Sequence, residues 1–216
     1  MDKRSLTQEY YMAAVDTKGN MPAMHRDASY AGLVVAGLME MVAEGVITIE
    51  KKKITVNKEL PEKMGYLTSL YQYMGEKART TDQLINAYMA YGTRMKQLTA
   101  DVGESLAADG SAQKAEGGLI GQKTVYIPSK EAKDELIGRF KEAFLGGTMD
   151  AQDISLAMIL KETKNLYANF TKEETKAVKE RLKDMKSGPA DKPWADMINY
   201  VDDMSAIMAS ITTISM

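Results

Sequence analysis

The sequence predicts a mainly α protein: one multi-helix domain, residues 1–216, with two short β-hairpins at its periphery. Three observations predict it. Apolar residues recur at three- and four-residue intervals along most of the chain. Capping signals stand where those stripes begin. Runs of β-branched residues are confined to two short stretches bounded by turn chemistry. No fixed-period repeat and no long linker interrupts this pattern. The small and polar stretch at residues 110–118 is too short to divide the chain.

The elements follow in order. Ser5 and Gln8 form a capping-box pattern that starts a short helix reaching Val15, with Leu6, Tyr10, Ala13 and Ala14 on one stripe. Residues 16–20 are a turn. Residues 27–44 are the strongest helix; Leu33, Val34, Gly37, Leu38 and Met41 give it a wide apolar face that belongs deep in the core. Gly45 ends it where left-handed geometry is needed. Residues 46–50 and 54–57 make the first hairpin, with Lys51, Lys52 and Lys53 at its tip. Helices follow at 61–73, 81–91 and 93–108, and residues 112–118 read as a loop. Leu119, Ile120 and residues 124–127 make a second hairpin around Gly121, Gln122 and Lys123. Pro128 and Ser129 open a helix ended by Gly146 and Gly147. Residues 150–169 are amphipathic, Thr171 and Glu174 cap a charged helix to about Lys186, and residues from Lys192 onward read as a long final helix.

Composition excludes several kinds of chemistry. The chain has no cysteine, so thiolate nucleophiles, disulfides and cysteine-based zinc sites are ruled out. One histidine, His25, cannot build a multi-histidine metal centre, and no cofactor motif is present. Lys+Arg of 28 against Asp+Glu of 30 lacks the basic excess of a chain that coats nucleic acid through overall charge. The longest greasy stretch, residues 30–49, is broken by Glu40 and Glu44, so no spanning helix and a cytoplasmic location are expected. The 17 methionines fall mostly on helical stripes and read as core filling.

The run from Gly117 to Thr124 nearly spells a phosphate-binding loop. Gln122 separates its glycine from Lys123, however, and a strand-like segment follows where a helix is required. Adjacent acids such as Asp202–Asp203 and Glu173–Glu174 point about 100° apart on a helix and read as solvated faces rather than acid–base couples. Nothing in the residues predicts an enzyme.

One resemblance adds to this reading. Leu6, Thr7, Gln8 and Glu9 on a short helix, then Asp16 to Gly19, then the small-residue helix around Gly32 to Met41 ending at Gly45-Val46-Ile47, resemble the N-terminal signature of the Golgi phosphoprotein 3 family. The later order of hairpin, helices, a helix ending in Ala108-Asp109-Gly110, and a second hairpin is similar too. The resemblance implies a non-catalytic protein at the cytosolic face of a membrane, with an anionic lipid head group as ligand. Family members of eukaryotes read phosphatidylinositol 4-phosphate with a tryptophan and three arginines, because guanidinium forks grip phosphate and the aromatic ring dips into the interface. Here those positions carry His25, Val34, and residues near Lys96 and Thr99, so only Lys96 keeps a charge. Arg26 is a stand-in beside His25, and Arg94 lies near Lys96.

His25, Arg26 and Lys96 are therefore the candidate head-group residues. Each lost charge-assisted hydrogen bond is worth roughly 1.5–3 kcal/mol, which implies weak affinity for that particular lipid. The resemblance also implies self-association and membrane contact through the second hairpin, here Leu119, Ile120, Val125, Tyr126 and Ile127; a buried sheet edge accounts for the same residues equally well. A rival reading takes residues 27–44 and the lysine tip as a winged-helix nucleic-acid binder, although that helix offers almost no polar side chain to base edges.

Overall fold

A computed structural model describes residues 3–90, 92–117, 123–187 and 209. Among them eight α-helices and two small antiparallel sheets are present, so the fold is mainly α with short hairpins. The long final helix read from Lys192, and Leu119 and Ile120 of the second hairpin, lie outside the described residues.

Helix α1 (Leu6–Ala14) begins at the expected box: the Ser5 hydroxyl accepts from the Gln8 N–H, and the Gln8 side chain accepts from the Ser5 N–H. It ends at Val15, whose carbonyl accepts from Lys133 Nζ at 2.9 Å. The turn after it is built by Asp16, which accepts from the N–H groups of Lys18 and Asn20, and by Gly19 with φ +71°.

Helix α2 (Arg26–Ala43) is the axis of the core. Leu33, Val34, Val35, Ala36, Leu38 and Met41 are fully buried, and α1, α4 (Thr81–Ala90) and α7 (Ala151–Glu162) pack around it. Its small residues permit this closeness. A Cβ on Gly32 would stand 2.6 Å from Tyr10 Cζ and 2.7 Å from Thr163 Cγ2. Beside that contact lies a buried polar knot. Tyr10 OH donates to the Ser29 carbonyl at 2.9 Å, and Asn165 Nδ2 donates to the Ser29 and Thr163 hydroxyls, each at 3.0 Å. Methionine serves mainly as filler: Met12, Met39, Met41, Met64 and Met95 are buried, whereas Met24 is 87% exposed.

Gly45, at φ +68°, turns the chain into β1 (Ile47–Glu50) and β2 (Lys53–Val56). The tip narrows to two residues, Lys51 and Lys52, at φ 49° and 68°, because Lys53 pairs with Glu50. Two positive φ values are what a two-residue hairpin turn demands, and lysine is poorly suited to them. Lys52 is held by an ion pair to Asp82 at 2.8 Å, and its carbonyl accepts from the Thr81 N–H. Replacing Lys51-Lys52 by Asn-Gly should raise stability by about 1 kcal/mol in denaturant melts, since the strained pair is relieved.

Two elements depart from the sequence expectations in this middle region. A short third strand, β3 (Arg79–Thr80), pairs with β2. The helix expected at 61–73 divides into a 3-10 turn (Glu62–Leu67), itself kinked at Met64, and α3 (Thr68–Gly75), with Leu67 leaving helical geometry at φ −101° where the two meet.

Helix α5 (Gly92–Ala108) leads to the largest correction. Residues 112–117, read as a loop, form β4 (Ala112–Gly117), which pairs along its whole length with β5 (Lys123–Pro128). Tyr126 explains the pairing. Its ring lies on Gly103 of α5, where a Cβ would come within 2.8 Å of Tyr126 Cβ, and its hydroxyl donates to Glu104 at 2.8 Å. Its carbonyl accepts from Tyr11 OH at 3.1 Å.

Helix α6 (Lys130–Leu145) starts at Ser129 as expected. The helix expected at 150–169 stops sooner. α7 ends at Thr163, Lys164 takes φ 62°, and a 3-10 turn (Asn165–Ala168) follows. The last described helix, α8 (Lys172–Ser187), opens on the Thr171–Glu174 capping box.

Candidate functional site

Two cavities of about 620 Å³ open on the described surface. The first lies among Lys3, Arg4, Glu40, Lys63 and Tyr66, and its charges answer one another. Lys63 pairs with Glu44 at 2.7 Å, Lys3 with Asp150 and Asp153, and Arg4 donates to Ser111 at 2.6 Å. Glu40 accepts from the Thr7 N–H, the Thr7 hydroxyl and Tyr66 OH. A site already satisfied internally has little left with which to hold a ligand.

The second cavity differs. Arg26 comes from the first turn of α2, Lys96 from the first turns of α5, and Lys123 from the start of β5. Against these three cations the lining offers one carboxylate, Asp27. Lys123 Nζ reaches Asn20 Oδ1 only at 3.4 Å, and neither Arg26 nor Lys96 has an ion pair among the described residues. All three cations are exposed, while Tyr11, Val15, Met21, Tyr88, Met95 and Val125 beneath them are buried. The cavity is therefore a cationic rim above an apolar floor.

The floor is electrically quiet. Burial pushes the Tyr88 hydroxyl up to about 12, and burial raises the Tyr30 hydroxyl above its ordinary value more than Arg26 lowers it. Both phenols stay neutral at physiological pH and act as walls with a polar tip. Thr99 lines the same cavity, but its hydroxyl donates to the Met95 carbonyl at 2.7 Å.

Of the residues expected at the head-group site, Arg26 and Lys96 thus share one cavity. His25 lies next door, in a smaller cavity of about 420 Å³ that it shares with Arg26, Asp27 and Lys164. Val34 is fully buried in the core and faces neither cavity. The Arg94 guanidinium sits 4.3 Å from the centre of the Tyr73 ring, with Arg79 3.7 Å from the same centre. The hairpin residues divide as well: Val125 and Tyr126 are buried against the protein itself, and Ile127 is half-buried.

Lys123 was not expected in the site, because sequence alone reads it as a hairpin-turn residue. Its visible signal is its place in the run from Gly117 to Thr124 that nearly spells a phosphate-binding loop, a motif set aside on spacing and context. Among the described residues no group of three or more His, Cys, Asp or Glu side chains could hold a metal ion, and no helix is long and apolar enough to cross a membrane. The rival winged-helix reading is not favoured: Leu33, Val34, Val35, Ala36, Leu38, Met39 and Met41 of the helix that would have to enter a groove are buried in the core.

The family model described as Golgi phosphoprotein 3 (GPP34) matches residues 6–201. No curated protein matches the chain.

Proposed function

The chain belongs to the Golgi phosphoprotein 3 family, and from that premise we propose that it is a non-catalytic peripheral protein which docks on anionic membrane through the Arg26–Lys96 cavity. One observation carries the reading. Two cations from separate helices, without ion-pair partners among the described residues, meet at a single opening. Unpaired cations brought together repel one another, and an arriving anion relieves that repulsion while accepting charge-assisted hydrogen bonds. The head group rests on Arg26, Lys96 and Lys123, and His25 stands at the margin. Phosphatidylinositol 4-phosphate binds weakly, because the position corresponding to one family arginine is occupied by buried Val34.

Vesicle sedimentation tests this. The protein should pellet with vesicles containing an anionic lipid and remain in solution with purely zwitterionic ones. Each basic residue near an anionic surface contributes about 1 kcal/mol, so Arg26→Gln with Lys96→Gln should lower partitioning roughly 30-fold. Binding should also weaken as salt rises, since the contact is exposed. Equal pelleting with anionic and zwitterionic vesicles would refute the proposal. Tight, selective pelleting with the phosphoinositide would refute the weak-affinity part alone.

A further inference from the structure

Resting on that reading, we infer that the cavity selects an amphiphilic anion: one compact charged group joined to a hydrocarbon or aryl portion, rather than a polyhydroxylated head group. Two features of the site carry this. The first is the segregation of its lining, with charge confined to the exposed rim, where Arg26, Lys96 and Lys123 outnumber Asp27, and the floor made of buried Val15, Met21 and Met95 with half-buried Met89. The second is that two of the lining hydroxyls have already committed their protons to backbone carbonyls, leaving Tyr30 and Thr124, among the described residues, as the hydroxyls free to donate. Thr99 Oγ1 donates to the Met95 carbonyl and Tyr11 OH to the Tyr126 carbonyl.

A sugar-like ring would bring several hydroxyls onto methionine and valine side chains. Each hydroxyl left without a partner loses the water that had satisfied it. A hydrocarbon portion meets the opposite situation, because it covers apolar surface and leaves its anion at the rim. Methionine suits this role, being unbranched and adaptable to chains of different shape. The cavity volume, about 620 Å³, is in the range that encloses a small molecule rather than a bare oxyanion. The floor thus sets the ligand's class, and the rim sets its charge.

Titration calorimetry on the full chain decides the matter, using inorganic phosphate, hexyl phosphate, octyl phosphate and inositol 1-phosphate, each below any micelle concentration. Affinity should rise with chain length, by up to about fourfold per methylene that becomes buried. Octyl phosphate should bind at least tenfold tighter than inositol 1-phosphate. Met89→Gln should reduce the gain in affinity from inorganic phosphate to octyl phosphate, and an unaltered thermal melt shows that the variant folds. Neutral octyl glucoside, with the chain but no anion for the rim, should compete at least tenfold more weakly than octyl phosphate.

Equal affinity for inorganic and octyl phosphate, a preference for inositol 1-phosphate, or competition by octyl glucoside as strong as that by octyl phosphate would each overturn the selectivity. In the first two cases the anion site of the preceding section survives. If no anion binds at all, that site falls and the selectivity falls with it. Displacement of the protein from anionic vesicles by octyl phosphate identifies the ligand as a membrane lipid; vesicle binding indifferent to saturating octyl phosphate identifies a free amphiphile of the same class.

Discussion

Gly32→Ala should lower stability by about 3 kcal/mol, although alanine is the better helix former. The propensity gain inside α2 is about 1 kcal/mol. Against it stands a methyl group that would lie 2.6 Å from Tyr10 Cζ and 2.7 Å from Thr163 Cγ2. Overpacking of a tight core costs roughly 1–3 kcal/mol. The Tyr10 ring cannot swing aside without giving up its 2.9 Å bond to the Ser29 carbonyl and disturbing Asn165. A buried polar group left unpaired adds about 1–3 kcal/mol more. The clash and the broken knot outweigh propensity. For a domain of this size the deficit corresponds to a fall of about 6–12 °C in Tm. Calorimetric melting measures it, and an unchanged or higher Tm would show that α1 and α2 do not meet at this position.

Arg139→Met should be comparably damaging, by roughly 3 kcal/mol at neutral pH, because it leaves the Glu9 carboxylate inside the protein without its ion-pair partner and Asp153 with Lys3 alone. Arg139 Nη2 donates to Glu9 Oε1 at 2.6 Å, and its other terminal nitrogen donates to Asp153. The Glu9 and Asp153 side chains are only 4% and 6% exposed. The figure sits at the lower end of the range for broken buried pairs, since Arg139 keeps a third of its surface in water.

The defect carries a pH signature. Burial raises the Glu9 carboxyl above its ordinary value, an effect larger than the opposing pull of Arg139, Gln152 and Lys3. Removing Arg139 raises it further. A carboxyl raised in the folded state favours folding fully below its unfolded pKa, and that contribution is lost as pH rises through the folded value. The difference between variant and parent should therefore be largest near pH 7 and shrink as pH falls toward about 4.5. Asp150, lowered in the fold with Lys3 and the Asp153 N–H holding its charge, titrates with the opposite sign. The subtraction removes whatever part of its contribution is common to both proteins. Urea melts across this range give the measurement, and a pH-independent difference would exclude a charge-based cause.

Helix boundaries were legible wherever a side chain caps the backbone within four residues. Ser5, Ser129 and Thr171 announce their helices, and the interactions that do so are local. β4 was not legible, because Ala-Gln-Lys-Ala-Glu-Gly has no strand-like pattern of its own. It is a strand because β5 lies beside it, held by Tyr126 on Gly103 and Tyr11. The stop at Lys164 was hidden for a similar reason: the following residue, Asn165, serves the polar knot under α2, and no helical stripe records that demand. The candidate site shows the same division. Family resemblance pointed to Arg26 and Lys96, whereas Lys123 enters only through the pairing that brings β5 against the core.

The buried axis of α2 has a consequence for how such a protein can diversify. Its interior is frozen, since even one added methyl at Gly32 is resisted, while Arg26, Lys96 and Lys123 stand in solvent at the ends of elements that other residues hold in place. Exchanges at exposed positions usually alter folding by no more than about 0.5 kcal/mol. Recognition and foldedness are thus decoupled, so the charge of the opening can be rewritten, residue by residue, on an unchanging frame.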